Sequence, residues 1–326
     1  MFFAALDLGS NTVSTLVRQT KPKGLVAVAK ISECTRLGEN LATTGNLQPA
    51  AMQRTIAAAA RQLKRIRRDF TPLRMTAVGT SAVRDASNGA TFLAQCRQEL
   101  GLRDTPAMLS GQTEAELTFR GATEAFPTTT PVINLDAGGA STEIALGFPG
   151  DLRIAVSFAA GCVRWSDRFG LGDVFTEQDA EAAAIAIREL LAPRLEEFRD
   201  ALAALTLRSS TAPVLSATGG TATSLAAVLL NRDESAKSLH GRSFTFAAIA
   251  DLQRRLARLS TAAREALPGL RPGRGSVLPT GLIILLTIMD ALGLPEVMAN
   301  THGLRYGLTA ALYAHDIRLP VCLALP

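Results

Sequence analysis

The stretch Ala4-Ala5-Leu6-Asp7-Leu8-Gly9-Ser10-Asn11-Thr12 is echoed by Ile133-Asn134-Leu135-Asp136-Ala137-Gly138-Gly139-Ala140-Ser141 in the second half of the chain. Each copy reads as a short apolar strand, an aspartate, a glycine-containing turn and the start of another strand. A unit repeated in this way predicts two related domains facing one another across a cleft. Around the first copy, Phe2 to Leu8, Thr12 to Gln19 and Leu25 to Ile31 read as three strands, and a helix follows from about Pro49. On that helix Ile56, Ala60, Leu63, Ile66 and Phe70 share one face. Arg74 to Val78 is another strand, followed by helices from near Thr91 to Leu100 and from about Gln112 to Thr123. Around the second copy, Val132 to Leu135, Ile144 to Gly147 and Val214 to Ala217 read as strands. Thr176 with Asp179 marks the start of an Ala-rich helix that runs through Leu191. Helices over 246–259, 279–292 and 304–314 complete the pattern. Strands alternating with helices in both halves argue for α/β architecture. Phe126-Pro127-Thr128-Thr129-Thr130-Pro131 is the best linker candidate, so the domains are expected at 1–125 and 126–326, with the last helix packing back on the first.

Composition narrows the chemistry. The chain has 326 residues, of which 47% are hydrophobic and 19% charged, as in ordinary globular proteins. Its four cysteines, Cys34, Cys96, Cys162 and Cys322, form no CxxC pair, and three histidines are too few for a His-rich metal centre. The N-terminal MFFAALDLG lacks a basic leader, and Gly281–Met289 falls short of the ~20 residues of a spanning helix. A soluble, cytoplasmic protein without a membrane partner is expected. A formal net charge of +5 suits a polyanion, while one Trp and two Tyr offer few platforms for stacking nucleic-acid bases. Nucleic acid is therefore not expected as a partner.

Three constellations carry chemistry. The two turns expose backbone N–H groups that can line an anion-binding concavity, with hydroxyls from Ser10, Thr12, Ser141 and Thr142 as further donors. Asp7 and Asp136 repel phosphate but suit Mg²⁺, a hard cation that bridges carboxylates and phosphates, and Glu143 is a further ligand candidate. Second, Gly79-Thr80-Ser81-Ala82-Val83-Arg84-Asp85-Ala86-Ser87-Asn88 follows a strand. It places Arg84 and Asn88 at the carboxyl edge of the sheet, where open α/β folds bind ligands; a fork from Arg84 suits phosphate oxygens. Third, Leu109-Ser110-Gly111-Gln112-Thr113-Glu114 places Glu114 in the first turn of a helix capped by Ser110. The helix dipole there favours an ionised carboxylate, and an ionised carboxylate beside a phosphate site can orient and deprotonate water.

In order along the chain, LDLGSNT at 6–12, GTSAVRDASN at 79–88, LSGQTEAEL at 109–117, NLDAGGASTE at 134–143, GCVRW at 161–165, SATGGTATSLA at 216–226 and GLRYG at 303–307 resemble the exopolyphosphatase/guanosine pentaphosphate phosphatase (Ppx/GppA) family. That family lies within the actin, Hsp70 and sugar kinase superfamily. The resemblance implies two ribonuclease H-like (actin-like ATPase) domains flanking an interdomain cleft in which a terminal phosphoanhydride is hydrolysed. It assigns Glu114 as the base that activates water. It assigns Asp136 and Glu143 to a divalent metal, Mg²⁺ or Mn²⁺, and Arg84 to phosphate. Ser10, Asn11 and Thr12 match the first phosphate loop, and Gly138, Gly139, Ala140, Ser141 and Thr142 match the second. Gly219 and Gly220 match a third loop. A short two-domain member is expected, with inorganic polyphosphate as substrate and a homodimer by resemblance alone. Alternatives are hydrolysis of guanosine pentaphosphate (pppGpp) and a non-catalytic (p)ppGpp sensor. A sugar kinase is disfavoured, because those enzymes lack the Ser-Gly-x-x-Glu-Ala stretch. Three positions depart from the family pattern: Ala140 for glycine, Thr113 for the first acidic residue of Glu-Glu-Ala, and Tyr306 for the glutamate of GLREG. Ala140 is costly only if its turn requires φ > 0.

Overall fold

The computed structural model describes residues 1–233, 237–316 and 319–325. The chain divides into two compact units, one made of 1–121 together with 304 onward, the other of 122–303.

In the first unit, β1 (Phe2–Leu8), β2 (Thr12–Lys21) and β3 (Gly24–Cys34) form an antiparallel meander. Helices α1 (Leu41–Thr44) and α2 (Pro49–Asp69) then lead to β4 (Leu73–Gly79), which pairs parallel with β1. Helices α3 (Ser81–Asp85) and α4 (Gly89–Glu99) follow, then β5 (Ala107–Met108), which extends β4 in parallel, and α5 (Gly111–Thr123). Helix α2 buries Ile56, Leu63 and Ile66, as its 3.6-residue spacing predicts, but Ala60 is exposed while Ala59 is buried, and Phe70 is the half-buried residue that ends the helix.

The second unit repeats the plan. Strands β6 (Val132–Ala137), β7 (Thr142–Phe148) and β8 (Asp151–Phe158) form the meander. Helices α6 (Cys162–Phe169) and α7 (Glu177–Leu207) precede β9 (Val214–Thr218), which pairs parallel with β6. Then come α8 (Gly219–Leu230), β10 (Arg242–Thr245), α9 (Phe246–Ala257), α10 (Thr261–Glu265), α11 (Leu278–Ala291) and β11 (Glu296–Ala299), the last pairing parallel with β9. The chain returns to the first unit through α12 (Leu304–Tyr313) and β12 (Leu323–Leu325), which pairs antiparallel with the start of β4. The sheets run β12-β4-β1-β2-β3 and β10-β11-β9-β6-β7-β8. The shared order β4-β1-β2-β3 and β9-β6-β7-β8 makes the units two related domains, as the repeat implied, each with the ribonuclease H-like α/β fold that the resemblance implied.

One expectation is corrected. The Ala-rich helix does not stop at Leu191; α7 continues through Pro193 to Leu207. Proline costs a helix one hydrogen bond and crowds the preceding turn. Buried Phe198 and Leu205 hold the later turns on the core of the second unit, and tertiary packing outweighs the local penalty. The short strands β5, β10, β11 and β12 carry no sequence signal, because each exists only by pairing with a distant segment. Among the described residues no helix is long and apolar enough to cross a membrane.

Candidate active site

The two glycine turns are built alike. Leu8 pairs with Val13 and Ala137 with Thr142, so each turn spans four residues. In each, the glycine after the strand donates its N–H to the last turn carbonyl: Gly9 to Thr12 at 3.2 Å and Gly138 to Ser141 at 2.9 Å.

In the first unit the turn is fastened to the Arg84 segment. Ser10 Oγ lies 3.1 Å from Ser81 Oγ and accepts the Ala82 N–H at 3.2 Å, at the start of α3. The backbone carbonyl of Asn11 accepts from Thr35 and Arg36, each at 3.0 Å. The Asn11 side-chain amide nitrogen is buried with no hydrogen-bond partner among the described residues. A buried donor without an acceptor is costly, and an anionic oxygen would satisfy it. Thr12 is half-buried at the end of the same turn.

Glu114 is buried in the first turn of α5. Arg84 Nη1 donates to its Oε2 at 3.0 Å and to the carbonyl of Leu109 at 2.8 Å. Both bonds come from one nitrogen of a five-donor fork, whose Nε lies 3.9 Å from Asp85. Ser110 caps α5 by accepting the Thr113 N–H at 3.1 Å, and the two hydroxyls lie 2.9 Å apart. Thr113, a departure from the family pattern, thus completes the cap that orients Glu114. Asn88 is turned elsewhere: its amide accepts from Leu47 N–H at 2.9 Å and donates to the Leu47 carbonyl at 3.0 Å.

In the second unit Asp136 and Glu143 are register partners across β6 and β7, so they leave the same face of the sheet as neighbours. Glu143 is buried, and its Oε1 accepts from Ser141 Oγ at 2.5 Å and Ser157 Oγ at 2.7 Å. Thr142 donates its hydroxyl to the carbonyl of Ala160. The carbonyls of Gly138 and Gly139 receive the first N–H groups of α6, from Cys162 and Val163 at 2.8 Å. Gly219, at φ 77°, opens α8, and a Cβ there would fall 2.2 Å from Asp136 Oδ1. The first unit is not symmetric with this: Asp7 faces Ser14 where Asp136 faces Glu143.

The carboxylate pair fits a small hard cation. Among the described residues no group of three or more His, Cys, Asp or Glu is arranged to hold a metal. Mg²⁺ commonly takes one or two protein carboxylates and fills its remaining positions with water and substrate phosphate. A tightly packed Asp136 beside Gly219 and the preset Glu143 match that donor set.

One residue escaped the sequence reading. A Cβ on Gly220 would meet the guanidinium of Arg274 at 2.1 Å, so Arg274 and Asp136 lie against two successive glycines. Both also act on the buried Cys162 thiol, which burial pushes up to about 11; the Arg274 charge opposes that rise and the Asp136 charge adds to it. The signal in the sequence was an arginine between two glycines, Gly273-Arg274-Gly275, in a stretch with no repeat to compare it with. A cavity of about 600 Å³ elsewhere in the second unit is lined by Phe175, Ala184, Arg188, Phe246, Arg254 and Asp290, among others, and by none of these loop residues.

The model of the Ppx/GppA phosphatase family matches residues 16–314. The chain is 26% identical over 322 residues to a guanosine-5'-triphosphate,3'-diphosphate pyrophosphatase of Photobacterium profundum, a match that covers 97% of this chain and 61% of that relative's length. Two solved structures share the fold. An exopolyphosphatase from Cytophaga hutchinsonii superposes with TM-score 0.84 at 21% identity, over 97% of this chain and 98% of that one. A Ppx/GppA family member from Aquifex aeolicus gives 0.75 at 23%, over 97% and 99%. Matched over most of its length by the family model, with the family's motifs on the loops described above, the chain belongs to the Ppx/GppA phosphatase family.

Proposed function

We propose that the chain hydrolyses the terminal phosphoanhydride bond of inorganic polyphosphate, releasing orthophosphate, with Glu114 as the base. The observation that carries this reading is the Arg84–Glu114 pair: a buried carboxylate in a first helical turn, held by an arginine whose segment is bonded to the Gly9–Thr12 turn. The family resemblance assigns phosphate oxygens to the Ser10–Thr12 turn and to the Gly138–Thr142 turn, and the buried Asn11 amide offers the first of these a donor. Arg84 holds Glu114 through Nη1 and offers the rest of its fork to phosphate. Glu114 accepts a proton from water as the water oxygen bonds to phosphorus and the bridging P–O bond breaks. Mg²⁺ or Mn²⁺, held by Asp136 and Glu143, would neutralise charge on the phosphate oxygens. Asp7, which the sequence also offers to the metal, faces Ser14 rather than a second carboxylate and belongs to no group of three such side chains among the described residues.

A second reading, removal of the 5′ terminal phosphate of pppGpp, is favoured by the Photobacterium profundum relative. The same residues would serve it, with a phenylalanine or an arginine as the partner on which the guanine stacks.

The test is orthophosphate release from polyphosphates of several lengths, and from pppGpp, with Mg²⁺ or Mn²⁺ present. Glu114→Gln is expected to lower kcat by ~10²–10⁴-fold while sparing binding, as loss of a general base does. Release that survives this substitution removes Glu114 as the base. Binding of (p)ppGpp without release from either substrate replaces the enzyme by a sensor.

A further inference from the structure

The dipeptide Arg264-Glu265, at the end of α10, grips the loop that presents Arg274. Both carboxylate oxygens of Glu265 accept backbone N–H groups that flank Arg274: Gly273 N–H donates to Oε2 at 3.0 Å and Gly275 N–H to Oε1 at 2.6 Å. Arg264 is wholly buried and takes the carbonyl side of the same loop, donating from Nη1 to Gly275 at 3.2 Å. Its other bonds run to the carbonyls of Leu256 at 2.8 Å, Gly172 at 3.1 Å and Asp173 at 2.6 Å. The loop is thereby anchored to two other segments of the second unit. Beyond Arg274 the chain enters α11 directly, because the Arg274 carbonyl accepts the Leu278 N–H at 2.9 Å. The backbone of Arg274 is fixed on both sides while its side chain reaches Gly220. Bonds from N–H groups to an ionised carboxylate are short and strong, so this bracket is stiff.

We propose that Glu265 is a positioning residue: by bracketing Arg274 it holds that guanidinium over the Gly219-Gly220 turn, beside Asp136, where the guanidinium engages the phosphate oxygens of the substrate. The inference rests on the reading of the site given above. It assigns Glu265 an effect on substrate affinity that travels through Arg274 alone.

A double-substitution cycle on the full chain tests it, with KM and kcat for tripolyphosphate and calorimetric binding of tripolyphosphate as readouts. Arg274→Ala is expected to raise KM by ~10-fold, and Glu265→Ala by nearly as much, with kcat within ~2-fold. Glu265→Gln, which keeps one acceptor oxygen, is expected to fall between wild type and Glu265→Ala. In the Arg274→Ala background, Glu265→Ala should change KM by less than ~2-fold, because coupled residues are non-additive. Effects that multiply independently overturn the inference, as does a Glu265→Ala variant that loses thermal stability and kcat without any shift in KM. If Glu265→Ala does not fold, Glu265→Gln carries the same cycle. If wild type releases no phosphate, the proposed activity fails by itself; the cycle is then read in tripolyphosphate binding, where equal affinity across the variants overturns the inference.

Discussion

A Cβ on Gly161 would lie 2.3 Å from the backbone of Ala140, which is closer than any side chain tolerates. That contact explains why GCVRW opens with glycine: α6 must reach the Gly138–Ser141 turn to cap its carbonyls. Gly161→Ala is expected to cost about 3 kcal/mol or more, by overpacking a closed contact, and a shifted urea midpoint checks it. Ala140 itself is buried and is not among the residues with positive φ, so its methyl group carries no backbone strain. Tyr306 is likewise accommodated, buried in the first unit. Its ring lies 4.9 Å from the Arg18 guanidinium and 5.0 Å from the Lys30 ammonium, and the ring face attracts both cations.

Two elements show how pairing and packing override local sequence. Helix α7 begins at a true capping box, in which Thr176 Oγ1 accepts the Asp179 N–H at 3.2 Å and the Asp179 carboxylate accepts the Thr176 N–H at 2.8 Å. The backbone N–H and hydroxyl of Thr176 hold the Asp179 carboxyl below its ordinary range. The same helix then tolerates Pro193, so Pro193→Ala is expected to stabilise the protein by up to ~3 kcal/mol through the restored hydrogen bond and relieved crowding. Thermal unfolding of the variant checks this. In the β6-β7-β8 meander, Ser157 on β8 donates to Glu143 on β7 and fixes its rotamer. On the proposal that Glu143 holds the metal, Ser157→Ala is expected to raise the Mg²⁺ concentration for half-maximal phosphate release by ~10-fold or more, as loss of a partner that orients a metal ligand does. An unchanged activation curve would show that Ser157 does not set the metal affinity and that Ser141 alone suffices to hold Glu143.

At the scale of the molecule, each unit carries its own apolar core, and buried thiols sit in both. Burial pushes Cys96 up to about 12 and Cys162 and Cys322 up to about 11. These folded values lie above the ~8.5 of an exposed thiol, so the unfolded chain releases these protons first as pH rises. Their contribution to stability is therefore complete below about pH 8.5 and declines as pH climbs toward the folded values. Urea midpoints are expected to fall between about pH 8.5 and 11, less steeply in a Cys96→Ala, Cys322→Ala double variant. At pH 8 a thiol reagent should label half-buried Cys34 ahead of the three buried cysteines. The first unit is completed only by the chain's return: Leu304, Leu308 and Ala311 of α12 pack with Ala5, Val78, Leu109 and Leu117.

The strand-turn-strand repeat, the caps at Ser110 and Thr176 and the ordered motifs were all legible in the sequence, because each rests on residues within a few positions of one another. Contacts between distant residues were not. Only the register of β6 on β7 set Glu143 opposite Asp136, while the equivalent register in the first unit set Ser14 opposite Asp7. Only tertiary packing brought Arg84 to Glu114, 30 residues away, and laid Arg274 on Gly220 with Glu265 beneath its loop. A local pattern fixes the conformation of a turn; which charges share a site depends on where sheets and loops bring the chain back to itself.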